Sequence, residues 1–320
     1  MKLVSVLYII FALRFASTGN GEDGRLRRNS STHSSSSEST LLRDVSQFVK
    51  PESPPKYFGI DIDGTLYTNN KEGFEKNIEA FAEVRKKGYI PFFCTGRPLT
   101  SAMNVVGEEF KTKTGYNGYP GVYNDGSIVY DKDGNLIYSK SLPKEFLSTF
   151  LKCIEGGALP NICTFHTKDA VYSLIKAEGK WVMYLESQGL TVPEVKTPQE
   201  IREFEIVNIY IFCESLKIGD LKEDVDYTAV TSAPGLFDIN PVGVTKLSSM
   251  KILLSHLNDS LDFCGFIGDG DNDMECLEEC NISFAVGNSP DEVKKHAKWV
   301  LEETCDEGAV AEALKLTYDL

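Results

Sequence analysis

The sequence predicts an α/β fold: a Rossmann-like parallel sheet core with helices on both faces, plus an inserted α+β cap domain. Three observations lead to this fold. Apolar strands alternate with amphipathic helices near both ends of the chain, two of these strands run into acidic clusters, and a long segment with elements of its own separates the two halves. With 320 residues, the chain is long enough to bury a large core.

Net charge and cysteine usage narrow the classes of function. The chain carries 33 Lys and Arg against 47 Asp and Glu, which gives a net charge of −14 at pH 7. Such a surface repels nucleic-acid backbones and anionic lipids, so we expect no nucleic-acid partner. The eight cysteines are scattered without CxxC spacing, which favours reduced core thiols over a zinc site or a disulfide framework.

Two segments at the amino terminus are expected to lie outside the fold. Residues 1–19 hold Lys2, an apolar run too short to span a bilayer and then small residues, a pattern typical of a signal peptide, with a signal anchor as the alternative. Residues 20–55 are rich in Gly, Ser and Arg and predict a disordered leader. We therefore expect a location in the secretory pathway or an organelle on that route, with the cytoplasm as the alternative, and no stable membrane span in the mature chain.

The first half of the core, residues 56–140, starts with a strand that ends in two carboxylates. An apolar run over 57–60 leads into Asp61 and Asp63, and the two-residue period of a strand puts both side chains on one side of the chain. Gly64 lets the backbone turn and expose N–H groups. One short loop thus offers acidic ligands for a hard cation and amide donors for a phosphate.

A βαβ unit brings a second loop to the same edge of the sheet. The spacing predicts a helix over 74–87 and a buried strand over 89–94 that ends at Thr95 and Gly96. In a parallel βαβ unit, site residues gather at the carboxyl ends of the strands. We therefore expect Thr95 to lie beside the two carboxylates.

The second half of the core, residues 235–320, repeats the pattern. Lys246 starts a helix with an apolar stripe, and the next strand leads into an acidic loop that holds Asp269, Asn272 and Asp273. This second acidic strand end completes the candidate site. The strand before the acidic loop is predicted at 261–267. The further elements predicted here are strands at 282–286 and 299–301 and helices at 290–297 and 308–316.

Other meanings of the acidic clusters fit less well. A calcium loop counted from Asp269 would need Gly and Glu where Met274 and Cys280 stand. A dinucleotide-binding loop would need G-x-G-x-x-G after the first strand, where the chain has acids instead. Solvated acidic turns remain the structural alternative.

The segment between the two halves, residues 141–234, is predicted to form the cap. It contains a helix with apolar spacing from Phe146 to Ile154, strands around 162–167, 171–175, 206–213 and 227–231, and a helix near 181–188. Polar residues of this segment are the candidates for substrate contact, and each is as readily a solvated surface group. They are His166, Lys168, Asp169, Lys180 and Arg202.

Four sequence motifs over residues 56–320 resemble those of the haloacid dehalogenase superfamily, and their spacing resembles its Cof-type sugar phosphatase branch. The motifs are Asp61-Ile-Asp63-Gly64-Thr65-Leu66, Phe93-Cys94-Thr95-Gly96-Arg97, Lys246, and the loop from Gly268 to Asp273. The resemblance implies that Asp61 is a nucleophile that forms an aspartyl-phosphate, and that Asp63 protonates the leaving alcohol and then activates water. It also implies that Thr95 takes part in catalysis and that Lys246 neutralises developing charge.

The same resemblance implies the ligand sets. Bound Mg²⁺ would be held by Asp61, the backbone carbonyl of Asp63, Asp269 and, in an assisting role, Asp273. The phosphate of the substrate would be bound by Gly64, Thr65, Thr95, Gly96, Lys246 and Asn272. A second Asp in the first motif favours phosphoryl transfer over dehalogenation, because a departing halide needs no proton.

The resulting hypothesis is a magnesium-dependent phosphatase that hydrolyses small phosphorylated metabolites, with sugar phosphates favoured. A phosphomutase or phosphotransferase uses the same motifs and is the first alternative. A non-catalytic binding protein on this scaffold is the second, and a redox role of the cysteines is a third. The oligomeric state is left open.

Overall fold

The computed structural model describes residues 45–233 and 235–320. The signal-peptide-like segment 1–19 and most of the leader 20–55 lie outside the described residues, and the secretory location stays a prediction. The described part of the leader packs on the core: the ring of Phe48 lies 5.2 Å from that of Trp299 and 5.5 Å from that of Phe284, between centroids. Within the described ranges no helix is long and apolar enough to cross a membrane.

The described residues form fourteen strands and nine α-helices, numbered along the chain. The strands are β1 Tyr57–Ile60, β2 Ile90–Cys94, β3 Gly121–Tyr123, β4 Ile128–Tyr130, β5 Leu136–Ser139, β6 Cys163–His166, β7 Val171–Ser173, β8 Glu194–Val195, β9 Asn208–Phe212, β10 Thr228–Ala233, β11 Leu236–Asn240, β12 Cys264–Gly268, β13 Ile282–Ala285 and β14 Trp299–Val300. The helices are α1 Lys71–Lys86, α2 Leu99–Thr114, α3 Lys144–Glu155, α4 Lys180–Ser187, α5 Pro198–Glu203, α6 Lys246–His256, α7 Met274–Glu279, α8 Asp291–Lys294 and α9 Ala309–Tyr318.

The larger sheet has eight strands in the order β14-β13-β12-β1-β2-β3-β4-β5. Strands β14 to β3 are parallel to their neighbours, and β4 and β5 add an antiparallel hairpin at one edge. Tyr57 of β1 is in register with Cys264 of β12 on one side and with Ile90 of β2 on the other. The carboxyl ends of these three strands therefore lie side by side, and the predicted parallel α/β core is confirmed.

Alternating side chains of the central strands bury both faces of this sheet. Phe58 and Ile60 pack into one core with residues of α1, α2 and α9. Tyr57 and Phe92 point the other way, into a core with residues of α6, α7 and α8. Burying one such aromatic side chain stabilises the fold by roughly 1.5 to 3 kcal/mol.

A second sheet of six strands, in the order β10-β11-β9-β6-β7-β8, belongs to the inserted segment. It is antiparallel except for the β7–β8 pair, and one of its faces packs on α3 and α5 through residues such as Phe150 and Ile201. The inserted sheet extends beyond the predicted boundary at residue 234, because β11 pairs with both β9 and β10. All eight cysteines are free thiols, six of them buried.

Candidate active site

The loops that follow three neighbouring parallel strands form the candidate site. Asp61 follows β1, Thr95 follows β2 and Asp269 follows β12. Because parallel strands present their carboxyl ends at one edge of the sheet, residues far apart in sequence meet there. Asp61 and Thr95 are buried, and Asp269 is partly buried.

Lys246 lies at the centre of the site as a fully buried cation. It is the first residue of α6, whose start is capped by Thr245, and its Nζ lies 2.7 Å from Asp61 Oδ1 and 2.7 Å from Asp273 Oδ1. Burial alone would lower the pKa of Lys246, but the carboxylates of Asp273 and Asp61 outweigh it and hold that pKa well above its usual value. The lysine is therefore charged and joins two acidic loops.

Asp273 has both carboxylate oxygens engaged by the protein. Its Oδ1 accepts from Lys246, and its Oδ2 accepts from the backbone N–H groups of Asp269 and Gly270, each at 3.0 Å. The side chain is fully buried. Asp273 thus fixes the loop after β12 and the position of the lysine.

Three carboxylates form a cluster suited to a hard cation. One oxygen from each of Asp61, Asp269 and Asp273 lies within 4.8 Å of the others. Burial and the charge of Asp273 raise the pKa of Asp269 to about 7. Burial also raises the pKa of Asp61 well above its usual value, although the charge of Lys246 acts to lower it. Buried oxygen donors with excess negative charge fit Mg²⁺. Since Asp273 is already engaged, Asp61 and Asp269 are the better-suited side-chain ligands.

The loop after β1 requires glycine at position 64. Gly64 has φ of +75°, and a Cβ built there would lie 2.2 Å from Asp269 Oδ2. The Gly64 carbonyl accepts from Asn288 Nδ2 at 2.8 Å, and the hydroxyl of the next residue, Thr65, donates to Asp269 Oδ1 at 2.9 Å. The side chain of Thr65 therefore orients Asp269, and its contact with a phosphate stays a prediction.

The carboxylate of Asp63 is paired with Arg97. Arg97 Nε and Nη2 donate to the two oxygens of Asp63, each at 2.6 Å, in a bidentate pair. Arg97 Nη1 also donates to the hydroxyl of Ser101, at 2.9 Å, and to the backbone carbonyl of Gln188, which follows cap helix α4. One guanidinium thus connects the expected acid to the cap. Arg97 was not singled out as a site residue, although it directly follows Thr95 and Gly96.

The loop between β3 and β4 adds a buried carboxyl that sequence reasoning missed. Asp125 and its neighbour Asn124 have φ of 51° and 49°, a backbone region that few residues other than glycine adopt. Asn272 Nδ2 donates to Asp125 Oδ1 at 2.8 Å, so Asn272 orients this carboxyl. Burial raises the pKa of Asp125, opposed by Lys246. A Cβ at Gly96 would lie 3.1 Å from Asp125 Oδ1, so Gly96 leaves room for this contact.

Thr95 and the cap candidates complete the placement of the predicted residues. Thr95 is fully buried, and its hydroxyl oxygen accepts from the backbone N–H of Arg97 at 3.2 Å. Of the cap candidates, His166 lies in the buried part of the cap. The others lie nearer the surface: Lys168 pairs with Asp169, Arg202 pairs with Glu155, and Lys180 is exposed.

A family model decides the relationship to known proteins. The model of haloacid dehalogenase-like hydrolases matches residues 58–314. The chain belongs to this family. A solved HAD/COF-like hydrolase from Plasmodium vivax is 27% identical with a TM-score of 0.73, over 84% of this chain and 97% of that one. A Bacillus subtilis phosphatase of 5-amino-6-(5-phospho-D-ribitylamino)uracil is 21% identical over 81% of this chain and 94% of its own length.

One further solved structure shares the fold of this haloacid dehalogenase-like chain. It is a HAD subclass IIB sugar phosphatase, 21% identical with a TM-score of 0.68, over 81% of this chain and 97% of that one. The predicted membership of the superfamily is confirmed, as is the general prediction of a phosphatase enzyme. The four motif regions meet at one edge of the sheet in this chain.

Proposed function

We propose that the protein is a magnesium-dependent phosphatase that hydrolyses small phosphomonoesters, sugar phosphates among them, through an aspartyl-phosphate on Asp61. The observation that carries the proposal is the buried Lys246, whose ammonium group bridges Asp61 and Asp273 at 2.7 Å beside the carboxylate of Asp269. A phosphoryl group carries negative charge on its oxygens during transfer, and a fixed cation beside the nucleophile stabilises that charge.

The nucleophilic step is assigned to Asp61. Its carboxylate attacks phosphorus, an O–P bond forms, and the P–O bond to the alcohol breaks. Asp63 donates the proton that the leaving alkoxide needs, and afterwards takes a proton from the water that attacks the phosphorus of the intermediate. The bond between Asp61 and phosphorus then breaks, which releases inorganic phosphate and restores the Asp61 carboxylate. Because Asp63 is held by Arg97 here, it must exchange that pair for the substrate oxygen before it can act.

Positioning of the phosphoryl group is assigned to the two loops beside Asp61. The backbone of Gly64 and Gly96 and the hydroxyl of Thr95 lie on these loops, and Lys246 supplies the positive charge. Mg²⁺ held by Asp61, the Asp63 carbonyl and Asp269 would neutralise phosphoryl oxygens and the surplus of carboxylates. Asp273 would keep the metal-binding loop in place through its two backbone donors.

Water exclusion is assigned to the inserted cap. The Tyr210 hydroxyl on β9 donates to the Gly96 carbonyl at 2.9 Å, and the Gln188 carbonyl accepts from Arg97. These contacts hold the cap against the catalytic loops, where it can shield a reacting phosphoryl group from bulk water. The sugar phosphatase with the same fold and the ribityl-phosphate phosphatase of similar sequence support a hydroxylated leaving group.

Phosphate release from a panel of phosphomonoesters tests the proposal. The full chain is assayed with Mg²⁺ and with EDTA beside Asp61→Asn, and Asp220→Asn serves as the matched control because Asp220 is exposed. We expect release that requires Mg²⁺, is lost in Asp61→Asn and is kept in Asp220→Asn. Release by Asp61→Asn at the wild-type rate would contradict the assignment of the nucleophile. Phosphate appearing on an added sugar instead of in solution would favour the phosphotransferase alternative.

A further inference from the structure

Asn288 lies in a further loop at the catalytic edge of the sheet. It follows β13, which pairs in parallel with β12. The loop after β13 therefore lies beside the loop that holds Asp269, because the carboxyl ends of parallel strands share one edge. None of the four sequence motifs includes Asn288, and its side chain is exposed.

The amide group of Asn288 joins two other segments of the chain. Its Nδ2 donates to the Gly64 carbonyl at 2.8 Å, and its Oδ1 accepts from the backbone N–H of Cys305 at 2.7 Å. These two partners fix the orientation of the amide, because Gly64 offers a carbonyl and Cys305 offers an N–H. The side chain thus connects the loop after β1 to the segment before α9.

The loop of Asn288 is itself held firmly. The Gly287 N–H donates to the Glu303 carbonyl at 2.7 Å, and the Gly287 carbonyl accepts from Lys294 Nζ at 2.8 Å. A Cβ built at Gly287 would lie 2.3 Å from the carbonyl oxygen of Glu302, so the loop packs directly on this segment. An amide on such a fixed loop can hold the position of the loop that it contacts.

The contact with Gly64 leads to a proposed ligand of Mg²⁺. The Gly64 carbonyl and the Thr65 N–H belong to one planar peptide group, so the bond from Asn288 also sets the position of Thr65. Thr65 is fully buried, and its hydroxyl donates to Asp269 Oδ1 at 2.9 Å. Partners that orient a metal ligand commonly change metal affinity by about 10- to 100-fold when they are removed.

We propose that Asn288 is a positioning residue of the magnesium site and acts through Thr65 on Asp269. The inference rests on the magnesium dependence in the proposed function. In this role Asn288 touches neither the metal nor the substrate. It holds the peptide between Gly64 and Thr65, so that the Thr65 hydroxyl keeps the Asp269 carboxylate in its place in the cluster. Loss of the contact should weaken Mg²⁺ binding and leave turnover at saturating Mg²⁺ nearly unchanged.

Asn288→Asp removes this contact selectively. The new carboxylate still accepts from the Cys305 N–H, but it cannot donate to the Gly64 carbonyl. It also adds a negative charge near the site, and a negative charge by itself attracts Mg²⁺ more strongly. Weaker binding of Mg²⁺ by this variant would therefore have the opposite sign to the effect of the added charge.

Asn281→Asp is the matched control. Asn281 directly precedes β13 and Asn288 follows it, so the two residues lie at opposite edges of the sheet. The Asn281 amide also donates to a backbone carbonyl, that of Asp262, at 3.3 Å, and Asn281 is also exposed. Both substitutions thus remove one hydrogen bond of the same kind and add the same charge.

Binding of Mg²⁺ to the full chain without substrate is measured by isothermal titration calorimetry. We expect the Kd to rise by about tenfold or more in Asn288→Asp and to stay equal or fall in Asn281→Asp. Phosphate release from p-nitrophenyl phosphate is then measured over a range of Mg²⁺ concentrations. The half-saturating Mg²⁺ concentration should rise with the Kd, whereas kcat at saturating Mg²⁺ should fall less than about threefold.

A double-mutant cycle tests the path through Thr65. Thr65→Val removes the hydroxyl that donates to Asp269 and keeps the shape of the side chain. Because Asn288 acts through this hydroxyl, Asn288→Asp should raise the Kd for Mg²⁺ by less than about threefold in the Thr65→Val background. In the Thr65→Ser background, where a hydroxyl is present, Asn288→Asp should have its full effect.

The inference and the phosphatase proposal can fail separately. An unchanged or lower Kd in Asn288→Asp, beside a wild type that binds Mg²⁺ and hydrolyses the ester, would overturn the inference and leave the phosphatase proposal intact. An equal rise of the Kd in Asn281→Asp, or a full effect of Asn288→Asp in the Thr65→Val background, would also overturn the inference alone. A wild type that neither binds Mg²⁺ nor hydrolyses the ester would overturn both.

Discussion

Replacing Lys246 by Met tests the electrostatic core of the site. The substitution keeps much of the side-chain volume but removes a fully buried cation whose Nζ lies 2.7 Å from Asp61 and 2.7 Å from Asp273. Breaking a buried ion pair by removing one partner costs about 3 to 5 kcal/mol, because the other charge is left unpaired. Asp273 keeps two backbone donors, so Asp61 bears the larger part of this cost.

The free energy of unfolding in urea, with EDTA at pH 8, is the measurement for Lys246→Met. We expect a loss of about 3 to 5 kcal/mol. Lys251→Met on the same helix is the control, since Lys251 is half exposed and pairs with Glu279 at 3.3 Å, and it should change stability by about 0.5 kcal/mol or less. Activity of Lys246→Met should fall by about 10²- to 10³-fold.

The loss of stability in Lys246→Met should itself depend on pH. Without the cation, burial and mutual repulsion raise the pKa values of Asp61 and Asp269 in the folded chain even further. A folded state with raised carboxyl pKa values binds more protons than the unfolded state, so its stability falls as pH rises. The deficit should therefore be smaller at pH 5 than at pH 8. A variant as stable as wild type within about 1 kcal/mol at pH 8 would refute the reasoning.

Three further predictions concern residues around this centre. Arg97→Ala removes the bidentate pair with Asp63 and the bond to the cap, so kcat/KM in a steady-state assay should fall by about 10- to 100-fold. Arg97→Lys should not restore kcat/KM, because lysine cannot form the bidentate pair. Asp125→Asn keeps an acceptor for Asn272 and removes a carboxylate close to the phosphate site, so KM for phosphomonoesters should stay equal or fall. His166 binds its proton near pH 6.5 when unfolded and near pH 3 when folded, so stability is lost as pH drops below 6.5. Between pH 6.5 and pH 5, the free energy of unfolding in urea should therefore fall by about 2 kcal/mol less in His166→Gln than in wild type.

Each of these three predictions has an outcome that would contradict it. An unchanged kcat/KM in Arg97→Ala, beside an equally active Arg202→Ala as a cap control, would show that the bond between core and cap has no role in turnover. A rise of KM by tenfold or more in Asp125→Asn would show that its charge is needed at the site. Equal acid sensitivity of His166→Gln and wild type would mean that His166 titrates normally in the folded chain.

The parallel core could be predicted because its strands are apolar runs that end in distinctive acidic or glycine loops. Helix α2 has no such signal: Gly107 within it adopts φ of +80° and breaks its periodicity. Strands β3 to β5 have only three or four residues each, too few to show alternation. The predicted core boundary at residue 235 assigns residues 236–240 to the core, because sequence position does not reveal the pairing of β11 with β9.

Site residues could be predicted where a single motif contains the chemically important side chain. Contacts between loops that are far apart in sequence could not be predicted. Asp61, Lys246 and Asp269 stand out because each follows or starts a regular element. The pairing of Arg97 with Asp63 and the contact of Asn272 with Asp125 join loops 34 and 147 residues apart. Such contacts depend on tertiary packing, and no local pattern encodes them.

Trapping the phosphoryl group on the chain tests the central claim most directly. Wild type, Asp61→Asn and Asp63→Asn are mixed with sorbitol 6-phosphate and Mg²⁺, quenched in acid within milliseconds, digested and examined by peptide mass spectrometry. We expect a phosphoryl group on Asp61 in wild type and in Asp63→Asn, where its hydrolysis is slowed, and none in Asp61→Asn. Product formed in wild type with the phosphoryl group on another residue, or unimpaired turnover by Asp61→Asn, would contradict the account.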